Sequence, residues 1–377
     1  MTGGVFDIVV VGLSLSSSWG NGHATTWRAL IRGLDKLGRR VLFLERDVPW
    51  YAEHRDLANP DYCRLAFYES LGELKSRYGE AIRNAGAIIV GSYVPEGTAV
   101  IDFVLSQARG QVGFYDIDTP VTLATLERGE ESYLASRQIP EFDLYLSFSD
   151  GPILERVQNR FGASQAIAFF CSVDDAAYKP MNEERRWDLG YLGTYSADRQ
   201  QALVRLLIEP ARQLPDRRFV VAGPQFPDDL AWPPNVDRIE HLAPAEHPHF
   251  YARQHFTLNI TRAEMVMAGW SPSVRLFEAA ACGTPIISDE WPGLTELLPE
   301  DEAIIIARST DDVVSMLTSS DSARRARLAE QARKRVLDHH TGEARARHLV
   351  TILSSMPHRK RRRRIPAVYG TSQWLNG

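Results

Sequence analysis

Residues 271–288 read SPSVRLFEAAACGTPIIS. A serine at 271 or 273 can cap a helix by accepting a hydrogen bond from the free N–H groups of its first turn. The helix predicted over 273–281 stops at Gly283, and Pro285–Ser288 resumes as a short apolar strand. The unpaired N–H groups at such a helix start, at the positive end of its dipole, can receive a phosphate. Arg275 would add a fixed, forked cation. Glu278, three residues on, lies on the same helix face and can hydrogen-bond a ribose diol.

Outward from this stretch the same rhythm repeats. On its N-terminal side, strands are predicted over 187–193 (WDLGYLG), 218–223 (RFVVAG), 237–241 and 256–260, with a helix over 198–213. A polar, proline-bearing stretch, 174–186, reads as a linker. Before it runs a similar series. Strands are predicted at 6–12 (FDIVVVG), 41–44, 87–90, 111–115, 143–147 and 166–170, and helices at 23–37, 100–107 and 152–161. The nearly continuous β-branched runs suit strands buried on both faces of a parallel sheet. The expected class is therefore α/β, with two Rossmann-like domains facing across a cleft. Their bounds are 1–175 and 176–345, and a C-terminal segment, 346–377, follows. In open α/β sheets ligands bind at the carboxyl ends of the strands, which puts the site between the domains.

Composition narrows the possibilities. The chain has 377 residues, 44% of them hydrophobic, with 43 basic against 48 acidic side chains and a net charge of −5. Six of the cations form one run, Arg359-Lys360-Arg361-Arg362-Arg363-Arg364, without which the remainder stands at −11. An acidic body argues against a protein that coats nucleic acid. The basic tail, with Trp374 nearby, would suit an anionic membrane surface. Cys63, Cys171 and Cys282 are far apart, with no CxxC pair. That fits a reducing compartment, and a cytoplasmic location is the expectation. No apolar run approaches the length of a spanning helix, and the N-terminus lacks the basic start of a signal peptide.

The run EAAACGTPIIS, followed by Pro292-Gly293-Leu294-Thr295-Glu296, resembles the donor-binding signature of GT-B glycosyltransferases. Other pieces agree in order: Ser172-Val173-Asp174 with Tyr178 and Pro180, then Gly190-Tyr191-Leu192-Gly193-Thr194-Tyr195, then Val220-Val221-Ala222-Gly223-Pro224. The form SPSVRLFEAAACG, with Tyr115-Asp116-Ile117-Asp118-Thr119-Pro120 in the first half, is similar to the CgeB-like, spore-maturation-type branch. The resemblance covers most of residues 5–350. It implies a metal-independent hexosyltransferase that uses a nucleotide-diphosphate sugar, with UDP or dTDP as the nucleotide, and no cofactor. It implies that Glu278 holds the ribose and that Arg275, Ser273, Ser271 and the helix start hold the diphosphate. Gly193, Tyr195 and Arg199 would approach from the opposite loop, and His241 and Leu242 would border the base. It also implies that the helix near 342–355 returns to the first domain. One departure stands out: where many retaining members carry a second Glu, eight residues before Glu278, this chain has Trp270. Inversion versus retention stays open.

The first half offers the acceptor side. The loop Ser16-Ser17-Ser18-Trp19-Gly20-Asn21-Gly22-His23 lies between a strand and its helix. A dinucleotide fingerprint would need glycines where Gly12, Ser14 and Ser17 stand, and it fails after the first, although Glu45 ends the second strand where a ribose-binding acid would sit. Ser18, Trp19, Gly20, Asn21 and Gly22 are instead read as an acceptor loop. Asp118, Asp116 and His23 are the candidates for the base that deprotonates an acceptor hydroxyl. Asp116-x-Asp118 has a metal-like spacing but is read as acceptor-side, and no metal site is expected. Two rival readings remain: a sugar-nucleotide epimerase of the same fold, and a non-catalytic nucleotide-sugar-binding protein.

Overall fold

The computed structural model describes residues 6–19 and 22–357. Gly20, Asn21, the basic run and Trp374 lie outside the described residues.

Seven strands form the first sheet: β1 (Ile8–Gly12), β2 (Val41–Arg46), β3 (Arg64–Tyr68), β4 (Ala87–Gly91), β5 (Gln111–Asp116), β6 (Leu144–Ser147) and β7 (Ala166–Ala168). All pair in parallel, in the order 3-2-1-4-5-6-7. The second sheet holds β8 (Trp187–Leu192), β9 (Phe219–Ala222), β10 (Val236–Ile239), β11 (Gln254–Asn259), β12 (Ile286–Ser288) and β13 (Ile305–Ile306), in the order 10-9-8-11-12-13. Both are Rossmann windings, and the strand order reverses between β1 and β4 in one sheet and between β8 and β11 in the other. The central strands β1, β4 and β5 are buried along their whole length. Their β-branched residues pack on helices at both faces, as a sheet covered on both sides requires.

The helix Gly22–Lys36 follows β1, and the last helix, Gly342–Ser355, packs along it. The two backbones touch at Gly33 and Gly342; a Cβ on Gly342 would come within 2.0 Å of Ala29 O. Any larger residue there would push the last helix off the first domain.

Several elements escaped the sequence reading. Strand β3 and the helix Leu71–Asn84 were not foreseen. Strand β3 is an edge strand, mostly half-buried, so it lacks the continuous apolar run that marks β1. The helix was announced by Ser70 and Glu73: the Ser70 hydroxyl accepts from Glu73 N at 3.2 Å, and the Glu73 carboxylate accepts from Glu69 N at 2.7 Å. The helix Thr119–Glu127 and those spanning 310–339 were missed as well. The helix expected over 198–213 is a single run with a wide turn at Val204–Ile208.

Candidate active site

The loops after β1, β4 and β5 face those after β8 and β11, so the two strand-order reversals open on one another. The cleft divides into three adjoining pockets that share Val274.

The first, about 190 Å³, is lined by Gly193 and Thr194 after β8, by Ile260 and Arg262 after β11, and by Ser273 and Arg275. Ser273 is the N-cap of the helix Val274–Ala281, its hydroxyl accepting from Arg275 N at 3.2 Å. Ser271 does not cap; it exchanges a 2.6 Å hydrogen bond with Ser149 of the first domain and donates to Gly269 O. Arg275 reaches across to Leu192 O at 3.4 Å and donates to Glu278 Oε2 at 3.0 Å. Arg199 also lines this pocket, anchored by a 2.6 Å bond to Thr194 O. Three guanidinium groups and a helix start thus surround one concavity, a setting suited to a polyanion.

The second pocket, about 240 Å³, has Glu278 on one side and Pro244 and Ala245 on another. Glu278 is 5% exposed. The Tyr251 hydroxyl lies 3.3 Å, and His247 Nδ1 3.6 Å, from the same Oε2 that takes Arg275. Burial alone would raise its pKa, but the Arg275 charge and the His247 contact hold it down at about 2. The carboxylate is therefore ionised, fixed in place and ready to accept from hydroxyl donors. Pro244 and Ala245, rather than His241 and Leu242, line the pocket beside Glu278. His241 has its ring 5.0 Å from Trp19, and Leu242 packs against the core. Tyr195 is likewise turned away: its ring meets Phe226 edge-on at 5.6 Å, and it lines none of the three pockets.

The third pocket, about 410 Å³, joins the domains and is lined by Leu13, His23, Tyr93 and Asp118 from one and by Arg199 and Arg262 from the other. The Tyr93 hydroxyl donates to Asp118 Oδ2 at 2.9 Å. The His23 ring stands edge-on to Tyr93 at 5.4 Å. Burial lowers the His23 pKa, against an opposing pull from Asp118, so the imidazole is neutral at physiological pH. Asp116 does not share this pocket. It is fully buried and accepts from Tyr145 at 2.6 Å, Thr122 at 2.8 Å and Asp118 N at 3.2 Å. Burial raises its pKa to about 6, the hydrogen bonds offsetting only part of the rise. It organises the loop that presents Asp118. Among the described residues no group of three or more His, Cys, Asp or Glu side chains is placed to hold a metal ion.

The serine loop is organised by its own contacts. Glu45 accepts from Leu15 N, Ser16 N, Ser16 Oγ and Ser14 Oγ at 2.6–3.1 Å. A carboxylate so engaged with its own loop has no oxygen left for a ribose, which closes the dinucleotide reading. Ser18 is bound to Asp56 through both its N–H and its hydroxyl. Trp19 stacks on His54 at 4.4 Å and remains 38% exposed at the rim. Gly22 starts the first helix and lines the third pocket.

Tyr93 and Arg262 were not foreseen. Tyr93 has φ +64°, unusual for a tyrosine. Both residues lie within three positions of the carboxyl end of a strand at an order reversal, and that placement was the available signal. Trp270, at the expected second Glu, is also left-handed (φ +44°), and its ring sits between Gly151 and Gly293, one from each domain. Added Cβ atoms there would come within 2.7 and 2.3 Å of the indole.

Comparisons with known proteins agree with this architecture. Residues 199–351 match the family model described as glycosyl transferase-like. Among solved structures, the chain is similar to an alpha-glucosyltransferase in complex with UDP-glucose and abasic-site DNA (TM-score 0.69, 14% identity, covering 93% of this chain and 100% of that one). It is also similar to a sucrose-phosphate synthase from Thermosynechococcus elongatus (0.66, 14%, 92% and 98%) and to HepE from Anabaena in complex with UDP and glucose (0.66, 13%, 93% and 100%). No curated protein matches the chain by sequence. The two facing Rossmann sheets, the cleft between them and these likenesses together show that the chain has the GT-B fold of glycosyltransferases.

Proposed function

We propose that the protein is a CgeB-like glycosyltransferase that moves a hexose from a nucleotide-diphosphate sugar, with UDP or dTDP as the nucleotide, to an acceptor hydroxyl. The observation that carries this reading is the Ser273-capped helix start with Arg275, Arg199 and Arg262 around one pocket, beside the buried, ionised Glu278. The diphosphate lies against the guanidinium groups and the helix N–H groups, and the ribose diol against Glu278. The sugar projects into the pocket that holds Asp118 and His23. Asp118 takes the acceptor proton, with neutral His23 beside it. The acceptor oxygen forms the new bond to the anomeric carbon, and the old carbon–oxygen bond breaks toward the β-phosphate. Fixed cations stabilise the departing nucleoside diphosphate without a metal or cofactor. Closure of the cleft limits hydrolysis of the donor.

The test is a panel of nucleotide sugars with and without acceptors, followed by release of nucleoside diphosphate and by sugar linked to the acceptor. Acceptor-dependent release that survives chelation of metals is the expected result. Conversion of the donor alone into an epimer would favour the epimerase. Tight nucleotide binding without turnover would favour a non-catalytic binder. The acidic body argues against a nucleic-acid acceptor, but one structural neighbour was captured on DNA, so the panel includes DNA. For the basic run 359–364 we propose attraction of the otherwise cytoplasmic protein to an anionic membrane surface. Co-sedimentation with phosphatidylserine vesicles, lost when the run is deleted, is the expected result.

A further inference from the structure

A further cavity of about 350 Å³, meeting the interdomain pocket at Pro272, lies where the chain crosses from the second domain back to the first. Its lining includes Phe170 from the first domain, Trp270 and Trp291 from the second, and His340 and Arg345 from the crossing segment. Arg345 is 7% exposed, and among the described residues no carboxylate lies within ion-pair reach of it. Its partners are imidazoles: His340 Nδ1 at 2.6 Å and His348 Nδ1 at 3.5 Å. Both are neutral, since burial and the Arg345 charge depress their pKa values, that of His340 to about 2. Tyr115 and Cys171 nearby are held protonated by burial. The Phe169 and Phe170 rings stand 5.7 and 5.9 Å from the guanidinium.

A buried cation with only neutral neighbours is costly. Water can satisfy its N–H groups but cannot neutralise it. Among the described residues, two donors in this lining have no hydrogen-bond partner: Arg345 Nε and Trp291 Nε1, the latter on a side chain 3% exposed. The carboxylates present are less deeply placed. Glu296 is exposed and accepts from Trp270 Nε1 at 3.0 Å; Asp150 is half-buried and accepts from Gly151 N at 2.7 Å. The cavity therefore combines two unpartnered donors, one of them charged, with flat aromatic walls and acceptors nearer solvent.

We propose that this cavity binds a small hydroxylated anion, a sugar phosphate or a sugar acid, with its acidic group on Arg345 and Trp291 and its hydroxyls toward Asp150 and Glu296. Such a ligand touches both domains, so it favours the closed cleft and couples to whatever the cleft holds. This lining shares no residue with the pockets assigned to the diphosphate and the ribose, and Pro272 alone with the pocket that takes the sugar.

The experiment is calorimetric titration of the full chain with a hexose 6-phosphate, glucuronate, inorganic phosphate and glucose. It is repeated on Arg345→Met, Trp291→Phe and Arg275→Ala. Wild type and Arg275→Ala should bind one or both sugar anions saturably, and which one distinguishes phosphate from carboxylate. Affinity should fall at least about tenfold in Arg345→Met, which loses a charged hydrogen bond, and several-fold in Trp291→Phe, which loses only an N–H. Trp291→Phe keeps the shape of the wall and serves if Arg345→Met does not fold. Three results would overturn the proposal: no saturable binding of either sugar anion, binding lost in Arg275→Ala but kept in both cavity variants, or inorganic phosphate binding as tightly as the sugar anions.

Discussion

The two walls of the cleft each bury a carboxylate and treat it in opposite ways. In the second domain, Glu278 meets Arg275 one helical turn away, and His247 stands 3.6 Å from the same oxygen, so its pKa is held at about 2. In the first domain, Asp116 meets only hydroxyls and an N–H, with no cation, and burial lifts it to about 6. One keeps a fixed charge facing a pocket. The other holds a carboxyl with its pKa raised to about 6 inside the wall, and Asp118 lines the cleft instead. What separates them is the presence of a buried cation, not the carboxyl itself.

The largest effect that would test this division is on Asp118. Asp118→Asn should cut turnover by about 10²–10⁴-fold, the usual contribution of a general base, with UDP affinity unchanged. Equal losses in Asp116→Asn would break the distinction between the two acids. Next, Arg275→Met leaves Glu278 buried beside no arginine. Breaking a buried pair costs about 3–5 kcal/mol; Arg275 lies partly open to the cleft, so the lower end applies, read by denaturant unfolding.

The pH dependence should then differ in sign. Glu278 has its pKa lowered on folding, so its stabilisation is complete above its unfolded value and is lost as pH falls toward 2. Asp116 has its pKa raised, so its contribution is complete below its unfolded value and is lost as pH rises through 6. Each is on the order of 3 kcal/mol across its window. Glu278→Gln should flatten the acid limb of the stability curve, and Asp116→Asn the decline between about pH 4 and 6; a curve that neither variant alters would contradict the assignment. The smallest effect is that of Tyr93→Phe, which removes one hydrogen bond to Asp118. It should cost about 1 kcal/mol, a several-fold change in kcat with KM for the donor unmoved.

The same contrast explains how much was legible in the sequence. The second wall is local. Its cap, arginine, glutamate and terminating glycine fall within 273–283, and helical spacing alone puts Arg275 beside Glu278. The first wall is assembled from the ends of β1, β4 and β5, so Tyr93 and Asp118, 25 residues apart, meet only once the sheet order is known. Asp116 and Asp118 read alike in sequence because strand alternation does not say which one the loop turns outward. The buried strands announced both sheets, whereas the half-buried edge strand β3 did not. Tyr195 and His241 were placed by their order along the chain, and their rings instead follow aromatic partners, Phe226 in the same domain and Trp19 in the other.

The second wall is the proposed binding site for a nucleoside diphosphate. Calorimetric titration of UDP, dTDP and GDP into wild type, Arg275→Ala and Glu278→Ala tests it directly. The wild type should bind UDP or dTDP saturably, with a loss of at least about tenfold in each variant, one charged contact being worth roughly 1.5–3 kcal/mol. Unchanged nucleotide affinity in both variants would contradict it.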